Sequence, residues 1–173
     1  QPLIPDEYSS HYNIKAQRHF EDIFGPINYS FNRGDVHIVG MRDIFYKHDY
    51  TTVDYAAGFL KEQYEWLKQD LDLVPKDKMV VLCVHIQLYG VVSKKTEPAE
   101  GENGHYVKEV HDLLNQFKEA HILSGHTHIQ RNFEHNCSNT KWENRNKYRN
   151  YNVMEHNMGT VCGAWWASNS CGD

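Results

Sequence analysis

Two short apolar runs in this sequence each hand over to histidine. Met79 to Val84 ends at His85, and Ile122-Leu123 leads through Ser124-Gly125 into His126-Thr127-His128. Imidazole is the commonest protein ligand for borderline metals such as zinc, iron and manganese, and the neutral ring binds at neutral pH with little proton cost. Histidines two apart point the same way where a segment stays extended, and a preceding glycine lets the backbone turn sharply. Gly125-His126-Thr127-His128 therefore reads as a metal clamp, and His85, at the end of the other run, lies where a site would be. A plainer reading fits the same spacing, because twelve histidines in 173 residues produce close pairs by chance. On that reading His126 and His128 are loop residues and His85 is a hydrogen-bonded residue at a strand end.

The surrounding pattern says what must hold these residues. Tyr29 to Met41 has β-rich segments on both sides of Asn32-Arg33-Gly34-Asp35, a hairpin signature in which Gly34 supplies positive φ. From Phe59 to Leu71 an apolar stripe of Leu60, Tyr64, Leu67 and Leu71 predicts an amphipathic helix ended before Pro75. Met79 to Val84 is a continuous apolar run of the kind found in strands covered on both faces. A polar stretch over Ser93 to Gly104 reads as a loop, followed by a second helix with Val107, Val110, Leu114 and Phe117 on one face. A further strand is expected at Tyr151 to Glu155, followed by a glycine-rich aromatic segment, Asn157 to Trp166. Helices alternating with buried strands imply an α/β fold, and ligands in open α/β sheets collect at the carboxyl ends of strands.

Composition limits the partners. The length suits one domain over 1–173, and hydrophobic residues at 40% with charged residues at 24% describe a folded domain. A net charge of −5 with pI about 6.2 gives no basic field for bulk nucleic-acid binding. The densest basic stretch, Lys141 to Arg149, is diluted by Glu143 and asparagines and reads as a solvated loop. No run reaches the length of a membrane span, and Gln1 to Pro5 lacks the features of a signal peptide. The expectation is a soluble protein whose compartment, periplasmic and secreted included, is open. Cys83, Cys137, Cys162 and Cys171 form neither a Cys-x-x-Cys pair nor a dense disulfide framework. Cys83 reads as a small buried hydrophobe, and the pairing of Cys162 with Cys171 stays open.

The order of hairpin GPINYSFNRGDVHIV, helix EQYEWLKQDL, strand MVVLCVH, a second helix, ILSGHTH and NMGTVCGAWW resembles the calcineurin-like metallophosphoesterases. The likeness is to their bacterial branch and runs from about Phe24 to Trp166. It implies a four-layer α-β-β-α sandwich of mixed sheets and a hydrolase that cleaves a phosphate ester at a pair of divalent metals, such as Mn, Fe or Zn. In that family the ligands come from an Asp-x-His, a Gly-Asp pair, an Asn-His-Asp or Asn-His-Glu, an isolated histidine and a Gly-His-x-His. By resemblance His85 and His126 would hold one metal, and His128 the other. Gln87 stands where a proline is common.

The first three motifs have only look-alikes here. Asp35-Val36-His37 lies in a hairpin turn and the strand after it, not at the end of a buried strand. Lys47-His48-Asp49 puts a cation where a ligand is needed, and the interval between the two is too short for a strand and crossover helix. The expectation is that the chain starts downstream of those motifs, lacks the family's catalytic histidine, and is nearly inactive alone. The alternative is a non-catalytic module of the same fold that binds a carbohydrate or protein through Trp142, Trp165 and Trp166. A zinc site at His135 and Cys137 lacks a second pair at finger spacing.

Overall fold

The computed structural model describes residues 11–46, 55–88, 106–134 and 153–159. Their centre is a six-stranded sheet. The hairpin is present: β1 (Tyr29–Arg33) pairs antiparallel with β2 (Val36–Gly40), with Arg33 opposite Val36. The two-residue loop Gly34-Asp35 has positive φ (60°) at its first position only. That is the type II′ pattern, which glycine fits without steric cost and whose twist matches the strands.

β2 then pairs in parallel with β5 (Met79–Cys83), β5 with β6 (Glu119–Ser124), and β6 with β8 (Val153–Asn157). β7 (Arg131–Glu134) closes the far edge antiparallel to β8, giving the order β1-β2-β5-β6-β8-β7. A separate two-stranded piece joins β3 (Ile44–Tyr46) to β4 (Tyr55–Ala57). The expected strand at Tyr151 to Glu155 is described from Val153 and runs on to Asn157.

The two expected helices are α2 (Lys61–Asp72) and α3 (Val107–Leu114), with α1 (His11–Phe24) preceding β1. α2 begins where Gln63 Oε1 accepts the Leu60 N–H at 2.9 Å, half of a capping box. It ends with the Leu73 N–H on the Asp70 carbonyl, two residues before Pro75. α2 and α3 cover one sheet face. Leu67, Leu71, Val110 and Leu114 pack with Val39, Val80, Leu82 and Ile122 in a continuous core. Each of these side chains contributes roughly 1.5–3 kcal/mol by leaving water. Phe117 joins the same core from the turn beyond α3.

The opposite face departs from the sequence expectation. Val36, Ile38, Met79, Val81, Leu123 and Met154 are only half-buried, so the apolar run of β5 is fully covered on one side alone. Among the described residues no helix is long and apolar enough to cross a membrane.

Candidate metal centre

Because β5 and β6 are adjacent and parallel, with Cys83 opposite Leu123, their carboxyl ends deliver His85 and His126 to one place. The ladder continues past both strands. The Val84 N–H bonds the Leu123 carbonyl at 3.0 Å, and the Gly125 N–H bonds the His85 carbonyl at 2.9 Å. The His85 and His126 rings then meet edge to face, centroids 5.3 Å apart. His128 is close enough that its charge opposes protonation of both. Loss of hydration is the larger cause holding His85 and His126 below the usual histidine range. Their mutual repulsion with His128 adds to it. Neutral rings at neutral pH are what a metal requires.

The turn itself differs from an extended clamp. Gly125 is tied to His85, so the chain reverses one residue later. The Thr127 N–H bonds the Gly125 carbonyl at 2.8 Å around His126, which has φ of 70°. This is the rare positive-φ γ-turn. His128 is also left-handed, with φ of 59°. The positive φ values fall on the histidines, not on the glycine.

Asn157 pins this turn from the end of β8. Its buried amide donates to the Gly125 carbonyl and, at 3.2 Å, to Ser124 Oγ, while Thr127 Oγ1 donates to its Oδ1. Ser124 in turn donates to Glu155 at 2.7 Å, and the same Glu155 oxygen accepts the Leu88 N–H at 2.9 Å. On the β5 side the buried Asp43 accepts the His85 N–H at 3.0 Å and the Ile86 N–H at 2.8 Å. Burial pushes the Asp43 carboxyl up to about 7 against those two donors, with Glu155 adding repulsion. Tyr55 from β4 reaches His126, hydroxyl to Nε2 at 3.1 Å.

Asp43, Glu155, Asn157 and Tyr55 were not apparent from sequence. Asn157 opens the NMGTVCGAWW segment, but none of the four stands at ligand spacing in the sequence, and only the fold brings them beside the histidines. Asp43 and Glu155 Oε1 face backbone amides and a hydroxyl, and so position the loops. The donors present suit a borderline divalent ion by chemistry, as neutral imidazoles. A metal at His126 Nε2 would have to displace the Tyr55 hydroxyl. Among the described residues no group of three or more His, Cys, Asp or Glu side chains is arranged to hold a metal ion.

No protein-family model and no curated protein matches this chain.

The look-alike carboxylate motif lies elsewhere, as the turn position implied. Asp35 is exposed and paired with Lys78. His37 is buried at the amino end of β2, with Asn32 Oδ1 and Asp70 Oδ2 each 2.8 Å from a ring nitrogen. Lys47-His48-Asp49, His135, Cys137, Trp142, Cys162, Trp165, Trp166 and Cys171 fall outside the described residues. Cys83 is half-buried and unbridged, and burial raises its thiol pKa.

Proposed function

We propose that this chain supplies the histidine side of a dinuclear phosphoesterase centre, with His85 and His126 toward one divalent metal and His128 toward the second. The observation that carries this reading is the pair of facing imidazoles, 5.3 Å apart, at the carboxyl ends of adjacent parallel strands. Their depressed basicity keeps them available as donors. Bound metal would supply Lewis-acid charge against the oxygens of a phosphoryl group. The chain's own part is to hold the loops that carry the three rings through Asp43, Glu155 and Asn157, and to keep His85 and His126 neutral.

The four-layer sandwich belongs to the same proposal. A second layer over Ile38, Val81 and Leu123 would complete the burial that α2 and α3 give the other face.

The test is a calorimetric titration with manganese. The wild-type chain is expected to bind, and His85→Ala and His126→Ala are each expected to weaken binding at least tenfold. Unchanged metal content in both variants would sink the ligand assignment. With no described carboxylate facing the rings, turnover of an aryl phosphate by this chain is expected to be slight even with manganese. That same inward-facing arrangement, with Tyr55 on His126, favours the second reading, a non-catalytic carbohydrate- or protein-binding module of this fold.

A further inference from the structure

A cavity of about 480 Å³ lies between α1 and the carboxyl ends of β2 and β5, and His85 is part of its wall. This is within the size range of small-molecule sites, roughly 300–1,000 Å³. Phe20, Ile27, Tyr29, Met41, Ile44 and Val84 make most of the lining apolar. The wall on the β1 side exists because position 40 has no side chain. A Cβ there would fall 2.5 Å from Tyr29 Cζ, so glycine lets the Tyr29 ring lie against the sheet.

Among the described residues one cation lines this apolar space. Arg42 lines the cavity with its guanidinium 4.5 Å over the Phe45 ring, and its Nε is buried without a hydrogen-bond partner. The carboxylate of Glu21 in α1 attracts Arg42 through its charge, and its Oε1 accepts the Gln17 amide at 3.0 Å. Backbone contacts fix the segment carrying Arg42. The Met41 N–H bonds the Cys83 carbonyl, Gln63 Nε2 donates to the Arg42 carbonyl at 2.7 Å, and the Asp43 carbonyl accepts the Gly58 N–H. A buried, unpaired guanidinium N–H in apolar surroundings is costly unless an anion meets it, and a planar guanidinium suits phosphate oxygens.

We propose that this cavity binds the apolar body of an anionic ligand, an aryl phosphate ester, with Arg42 pairing to the phosphate beside His85. Calling that ligand a substrate rests on the phosphoesterase reading; its binding does not require metal. The apolar walls supply affinity for the ring and Arg42 supplies affinity for the charge, so neither half alone should bind as well as the whole.

Calorimetric titrations of the full chain in chelator, with phenyl phosphate, inorganic phosphate and phenol, separate these contributions. Phenyl phosphate is expected to bind at least tenfold more tightly than either other compound. Arg42→Met should weaken phenyl phosphate about tenfold while keeping the contact with Phe45. Ala16→Trp fills the cavity from an exposed helix position and should weaken phenyl phosphate without changing inorganic phosphate, with circular dichroism reporting that the fold is kept. Binding of phenyl phosphate no tighter than phosphate, or unmoved by both substitutions, would overturn the proposal. Because chelator removes metal, a failed manganese titration leaves this result standing, and the converse also holds.

Discussion

His126 and His128 carry their rings on left-handed backbone, φ 70° and 59°. For a residue with a Cβ that conformation costs roughly 1–2 kcal/mol. It persists because Asn157 holds the carbonyl before the turn and the hydroxyl inside it. His126→Gly relieves the strain but loses the Tyr55 contact and loosens the unfolded chain, so its stability to urea should stay within about 1 kcal/mol of wild type. His126→Val, β-branched at positive φ, should lose about 2 kcal/mol or more. Equal tolerance of Gly and Val would show that the turn is not left-handed.

Asp43 gives a pH signature. Its folded-state pKa of about 7 lies above the ordinary 3.8, so between those values the folded state holds a proton that the unfolded state has released. Its contribution is fully present below about pH 4, is lost as pH rises to about 7, and is flat above that, a change of at most a few kcal/mol. Urea melts in chelator should show this fall offset in part by the rise that the lowered His85 and His126 values give, and Asp43→Asn should remove the falling part. Asn should also lower stability by about 1–3 kcal/mol, since one amide oxygen cannot serve both the His85 and Ile86 N–H groups. A fall that survives the substitution would assign it to another group.

Among the elements, the hairpin is tied to α2 through one carboxylate. Ser30 Oγ donates to Asp70 Oδ1 at 2.7 Å, and His37 Nε2 lies 2.8 Å from Asp70 Oδ2. Asp70→Ala should destabilise by about 1–3 kcal/mol because it leaves the buried His37 nitrogen unmet. It should leave manganese affinity unchanged, because His37 sits at the amino end of β2 and His85 beyond the carboxyl end of its neighbour. A matching loss of metal binding would contradict that separation. The elements that could be read in sequence are those whose burial imposes a period or a turn: the hairpin at Gly34, α2 through Leu67 and Leu71, β5, α3, β6 and the greater part of β8. α1 left no such mark, because Ile14, Phe20, Ile23 and Phe24 are all exposed to a substantial degree. β3 and β4 are three residues each, and β7 is a polar edge strand defined by pairing to β8. In the site, His85, His126 and His128 were visible as strand-end residues. Asp43 and Glu155 were not, because their partners lie 42 and 67 residues away and only the folded strand order supplies them.

At the scale of the molecule, β2, β5, β6 and β8 run in one direction, so Asp43, His85, His126 and Asn157 gather at one end of the sheet. Among the described residues the edges, β1 and β7, are each bonded on one side only. Amide exchange should therefore be slowest at Val80, Leu82, Ala120 and Ile122, which are buried between paired neighbours, and faster along β1 and β7, which can open locally. Metal bound by His85, His126 and His128 would join the loops after β5 and β6, and ligand at about 100 times its Kd stabilises a binding state by about 2.7 kcal/mol. If those loops open locally without the rest of the sheet, manganese should slow exchange at residues 84–88 and 124–128 by up to about a hundredfold and leave the Gly34 turn unchanged. The turn is the internal control, since it lies at the opposite end of β2. Protection rising at the turn but not at the strand ends would place the bound ion away from the histidines, and no change at either would remove the case that these three rings act as one centre.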